Sequence, residues 1–115
     1  MKVVKIDSYG IVFEDGTKIY SDHQQDCCES HYLNLEDLSL EDFNGLDFDL
    51  SGEDFFNRID GYGIELIPIG GRSVKIAGHG YNNGYYSSEL TLVLEDAKGI
   101  ILKRFDISDC QTISD

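Results

Sequence analysis

Apolar and polar residues alternate over short runs along most of this chain, with the period of a half-buried strand. Segments 2–7 (KVVKID), 10–14 (GIVFE) and 17–21 (TKIYS) are rich in β-branched and aromatic residues. SYG and EDG lie between them as turns, and Asp15-Gly16 is a hairpin signal. The pattern returns in 63–69 (GIELIPI), 72–78 (RSVKIAG), 85–95 (YYSSELTLVLE) and 99–107 (GIILKRFDI). In the third of these, Leu90, Leu92 and Leu94 alternate with Glu89, Thr91 and Val93, so the Leu set is expected to face the core. Pro68 lacks a ladder donor and should sit in an edge strand or end its strand. EDAKG (95–99) reads as a tight connection.

The middle of the chain breaks this alternation. Ser39 can cap a helix over LEDFNG, with Asp42 three residues on and Gly45 at the stop. Ser51 can cap GEDFFNRIDG, with Asp54 in the same relation and Gly61 beyond the end. Leu40, Phe43, Phe55, Phe56 and Ile59 would rest these short helices on a sheet. The expectation is a single α+β domain spanning 1–115. It would hold a mainly antiparallel sheet of about six to seven short strands, with one or two short helices in the acidic middle.

Charge narrows the function. The chain carries 9 Lys and Arg against 22 Asp and Glu, a formal charge of −13. No Lys or Arg lies between Lys18 and Arg58, a span holding Asp22, Asp26, Glu29, Glu36, Asp37, Glu41, Asp42, Asp47, Asp49, Glu53 and Asp54. Such a field repels phosphate backbones and anionic membranes, which argues against direct nucleic-acid or membrane binding. It favours cations, basic proteins, or proteins that normally hold nucleic acid. MKVVKIDSYG lacks the apolar stretch of a signal peptide, and no run approaches the roughly 18 apolar residues of a membrane span. The cysteine count is 3, with Cys27 and Cys28 adjacent, so a full disulfide pairing is impossible and a reducing, cytoplasmic setting fits.

SDHQQDCCES (21–30) concentrates Asp22, His23, Asp26, Cys27, Cys28 and Glu29. A zinc ion could draw on His23, Cys27, Cys28 and the distant His79. Against that, adjacent cysteines diverge by about 100° on a helix and point oppositely on a strand, which makes them poor ligands of one ion. A nucleophilic thiol is a second reading, opposed by Asp26 and Glu29, whose charge raises a thiol pKa. The third reading prevails: a capped corner in which two small apolar sulfurs pack.

GHGYNNGYY (78–86) fits neither nucleotide fingerprint, because its glycine spacing is wrong and no Lys follows. Asn83-Gly84 reads as a hairpin turn. His79, Tyr81, Asn83, Tyr85 and Tyr86 are the candidate binding residues, an aromatic recognition surface whose bland alternative is half-buried packing. The acidic run has neither the residue order of a calcium loop nor a recognisable catalytic carboxylate pair.

Together, DHQQDCCES, YLNLEDL and NNGYYSSE resemble a small uncharacterised family of phages and mobile elements. That family carries a D-H-x-Q-D-C-C-E-like motif, a Y-x-E-D-like segment and a late N-G-Y-Y-S motif. The matches fall at 22–29, 32–38 and 83–88. The resemblance implies a shared fold and a phage or mobile-element origin, and no activity. The functional expectation is a small acidic, non-enzymatic accessory protein without a cofactor. It would contact a basic or nucleic-acid-binding protein, in the sharper form as a nucleic-acid mimic. The alternative is a zinc-binding domain centred on DHQQDCC.

Overall fold

The structure, a computed structural model, describes residues 1–7, 10–22, 30–81 and 89–114. Its strands are β1 (Val3–Asp7), β2 (Gly10–Phe13), β3 (Lys18–Asp22), β4 (Ser30–Leu33), β5 (Phe56–Ile59), β6 (Gly63–Leu66), β7 (Val74–Tyr81), β8 (Thr91–Glu95), β9 (Ile101–Asp106) and β10 (Thr112–Ser114). They form two sheets. The first runs β1-β2-β3-β8-β9, antiparallel throughout. The second runs β10-β7-β6-β5 with β4 also on β7, and only its β10–β7 pair is parallel.

Local chemistry sets the turns. Between β2 and β3, Gly16 adopts φ 89° and the Asp15 carboxylate accepts the Thr17 N–H at 2.9 Å. Between β8 and β9, the Asp96 carboxylate accepts from the Lys98 and Ile100 N–H groups, each at 2.9 Å. β6 ends at Leu66, two residues before Pro68, as a missing donor requires.

β7 serves three partners by changing them along its length. Val74–Ala77 pair with β6, and Gly78–Tyr81 pair with β4. The Gly78 N–H donates to the Tyr62 carbonyl at 2.7 Å, whereas the Ala77 carbonyl accepts from Asn34 N–H at 2.8 Å, so β6 and β4 lie on opposite edges. A Cβ on Gly78 would stand 2.3 Å from the Cys110 carbonyl oxygen. The approach to β10 therefore passes over a residue that must lack a side chain.

Both sheets contribute to one core. Ile11, Phe13, Ile19, Leu92, Leu94 and Phe105 enter it from the first sheet, and Leu33, Ile64, Leu66 and Ile76 from the second. Phe105 meets Phe55 and Phe56 edge-on at 5.7 and 5.0 Å, which joins the sheets; such pairs contribute about 1 kcal/mol each beyond their buried area.

The acidic middle is a strap, not a pair of helices. Leu35, Phe43, Leu46, Phe48 and Phe55 all enter the core. The Phe48 N–H donates to the Met1 carbonyl at 2.8 Å, and the Ile69 N–H donates to the Asp47 carbonyl at 2.7 Å. The strap thus ties the chain just before β1 to the chain just after β6.

The α+β expectation is overturned: among the described residues there is no α-helix, and the fold is nearly all β. Ser39 and Asp42 do cooperate, the Asp42 carboxylate accepting the Ser39 N–H at 2.9 Å, but they start only a four-residue 3-10 helix, Leu40–Phe43. Asn44 is already extended, and Gly45, at φ 76°, turns the chain away. The second expected helix is β5 and its turn. Gly61, at φ 75°, closes the β5–β6 hairpin. A left-handed glycine marks helix ends and hairpins alike, and an isolated two- or three-turn helix is marginal, so the ladder from Phe56↔Leu66 to Ile59↔Gly63 prevails. Ser51, the expected cap, instead donates its hydroxyl to the Asp49 carboxylate at 2.6 Å.

Candidate interaction surface

β3 of the first sheet ends at Asp22, and the chain resumes in the second sheet with β4 at Ser30. β7 of the second sheet ends at Tyr81, and the chain resumes in the first at Glu89 and then β8. Ser30 is the register partner of Tyr81, and Asp22 that of Thr91. The described residues flanking 23–29 and 82–88 therefore lie beside one another, and the Ser21–Leu33 hydrogen bond brings the two sheets together there. Sequence distance hides this: the two motifs are some fifty positions apart, yet their described flanks pair with each other, once in each sheet.

His23, Asp26, Cys27, Cys28, Glu29, Asn83, Tyr85 and Tyr86 lie outside the described residues, as does the side chain of Tyr81. The zinc, thiol and packing readings of the cysteine pair fall there with them, and so does the Asn83-Gly84 turn. Asp22 and His79 are described. Asp22 is exposed at the end of β3 and, with Tyr32, Asn34 and Glu36, borders a groove of about 410 Å³. The Ser21 hydroxyl in its wall accepts the Leu33 N–H at 3.1 Å, pinning the end of β3 to β4. His79 is half-buried and faces Tyr32, its register partner, with ring centroids 5.8 Å apart. Among the described residues no group of three or more His, Cys, Asp or Glu side chains is placed to hold a metal ion. Cys110 is a free thiol in the core, and burial, followed by the charge of Asp60, pushes its pKa up, away from nucleophilic use.

A polar pair that the sequence did not reveal lies close by. His31 alternates with Tyr32 on β4 and points inward, only 6% exposed. Its Nδ1 is 2.8 Å from Gln111 Oε1, and Gln111 Nε2 donates to the Ser108 carbonyl at 2.8 Å. Because the amide nitrogen is spent on a carbonyl, Oε1 must accept, so His31 carries its proton on Nδ1. No local signal could announce a pair separated by eighty positions.

The strap presents charge. Glu36, Asp37, Glu41, Asp49, Glu53 and Asp54 are exposed, while Phe43, Leu46 and Phe48 between them are buried, Leu38 and Leu50 are half-buried, and Leu40 is exposed. Asp37, Asp42 and Asp49 accept local hydrogen bonds from Asn34, Ser39 and Ser51. The side chains of Glu36, Glu41, Glu53 and Asp54 make no hydrogen bond among the described residues, and no carboxylate of 36–54 forms an ion pair there with a Lys or Arg. The Ser51 hydroxyl and N–H hold the Asp49 carboxyl below the usual range, and Ser108 does the same for Asp106. No helix among the described residues is long and apolar enough to cross a membrane.

No family model, no curated protein and no solved structure matches this chain.

Proposed function

We propose that this protein is a non-enzymatic accessory protein that binds a basic protein partner through the carboxylates of its strap. The observation carrying this reading is the strap's division of labour. Most of its apolar residues anchor it to the core; apart from Asp47, which holds the Met1 ammonium, its carboxylates form no ion pair among the described residues. A surface charge left unpaired inside its own chain remains available to a partner of opposite sign, where it raises the association rate and suppresses anionic competitors. In its sharper form the strap substitutes for a phosphate backbone in a nucleic-acid-binding protein. Nucleic acid and anionic membrane are not the ligands on this reading. A cytoplasmic setting belongs to it, in keeping with the free Cys110, as does the phage or mobile-element origin that the motif resemblance implies.

The test is retention of a basic protein from the source-cell lysate at about 50 mM salt and its release by about 500 mM, where screening shortens to a few ångströms. The variant Glu36→Gln/Glu41→Gln/Glu53→Gln/Asp54→Asn should lose the retention while keeping its melting temperature. Failure to hold any partner at low ionic strength overturns the reading.

A further inference from the structure

Beside the strap lies an apolar slot that the charge argument does not explain. Phe48 and Leu94 are buried at its base, and Met1, Leu50, Ile69 and Leu102 form its sides, around a volume of about 440 Å³. Ile69 is 66% exposed and Leu102 52%, although Leu102 lies within β9 and the Ile69 N–H is bonded to the strap. The slot continues past Asp49, Ser51 and Ile69 into a second hollow of about 460 Å³ that reaches Phe55 and Pro68. Asp15, Asp49 and Asp54 stand around the two. An opposing cation nearby, Lys103, is tethered by its Nζ to the Ser51 and Gly52 carbonyls at 2.9 and 3.3 Å. The Met1 ammonium at the slot is already held by Asp47, so Asp15, Asp49 and Asp54 outnumber the remaining ammonium of Lys103 and leave the rim negative; the Thr17 and Ser51 groups bonded to Asp15 and Asp49 hold both ionised.

We infer that this slot is the docking site for an extended basic segment of the partner, which seats large apolar side chains between Ile69 and Leu102 and lays Lys or Arg on the acidic rim. The inference rests on the proposed function in taking the partner to be basic, and adds where it docks and what holds it. An apolar floor with a charged rim is the usual anatomy of an interface whose affinity comes from buried anchors and whose selectivity comes from charge. A second copy of the chain is the wrong occupant. It would bring −13 against −13. The neighbouring edge strand β9 is also guarded against strand addition by a register shift at Leu94/Glu95 and by Lys103, which shares a face with Leu94. Anionic lipid meets the same repulsion.

A random peptide display library panned on the intact chain at low salt tests this. Enriched peptides should combine Leu, Ile, Phe or Met with adjacent Lys or Arg. A synthetic copy of the strongest should bind at least about tenfold more weakly to Ile69→Gln/Leu102→Gln. Both side chains are largely exposed, so that variant should fold normally; Ile100→Gln, exposed outside the slot, should bind unchanged. Acidic consensus peptides, absence of enrichment, binding indifferent to the slot variant, or a dimer in sedimentation that the slot variant abolishes would each overturn it. The two readings separate cleanly. Salt-reversible partner retention that survives Ile69→Gln/Leu102→Gln keeps the acidic strap and removes the slot. Slot-dependent, salt-sensitive binding of the basic peptide, with no partner retained from lysate by the strap, keeps the slot and removes the strap; slot-dependent binding indifferent to salt overturns the acidic rim and with it the inference.

Discussion

Residues 90–94, which run into β8, and the strap segment 46–50 carry the same in–out alternation, LTLVL against LDFDL, but different forces hold them. β8 lies between β3 and β9 and is laddered on both edges. Leu90, Leu92 and Leu94 are 0 to 2% exposed and point into the core. Val93, on the opposite face, is also fully buried, between Tyr20 and Arg104 in the ladder. The strap has no extended ladder. It is fixed by Leu46 and Phe48 below, by a reciprocal pair of Met1–Phe48 main-chain bonds and the Met1 ammonium on Asp47 at one side, and by the single Ile69 N–H bond at the other. A laddered strand can have both faces covered, whereas a strap held by anchors keeps one face open. That open face is where the carboxylates are displayed.

The comparison can be broken by mutation. Leu92→Ala removes a side chain that nothing can collapse around and should cost about 4 kcal/mol in urea unfolding. Phe48 packs against Phe13 and Phe43 at 5.9 and 6.2 Å. Phe48→Ala should cost about 3 kcal/mol, with amides of 46–49 exchanging early while those of β8 still await global unfolding. A loss under about 1 kcal/mol would make the strap a dispensable loop and end the comparison.

Acid provides a gentler test. Asp49 in the strap and Asp106 at the end of β9 both have folded pKa values depressed by serine hydrogen bonds. Depressed carboxylates stabilise the fold fully above the ordinary carboxylate range and lose that contribution as pH falls through their folded values. Stability should therefore decline on acidification, and Asp106→Asn should flatten its own share of the decline. Solvent keeps each share small. The smallest effect is expected from Glu36→Gln/Glu41→Gln/Glu53→Gln/Asp54→Asn. Its stability should lie within about 0.5 kcal/mol of the parent, on the stable side because self-repulsion is relieved, and thermal melts at low and high salt would measure it.

Most strands were legible because their signals are local: β-branched residues, period-two burial, Asp15-Gly16, and the proline that stops β6. β4, β5 and β10 were missed. β4 and β10 are short and are defined by the partner they find on β7, four and three residues long respectively. β5 was concealed by a cap signal at Ser51, whose side chain bonds to Asp49 instead. In the candidate site, Asp22 and His79 could be named from their motifs. Tyr32 beside His79, and Gln111 beneath His31, could not, since each contact depends on strand pairing between distant segments.

By itself the sequence determined the alternating strands, their turn residues and the uneven charge, because backbone propensity and ionisation belong to each residue and its neighbours. Tertiary structure decided which glycine closes a hairpin instead of a helix, which carboxylates face outward, and that Ile69 and Leu102 share a slot. Those outcomes depend on long-range pairing and burial, and the free energy of both appears only when separate parts of the chain meet.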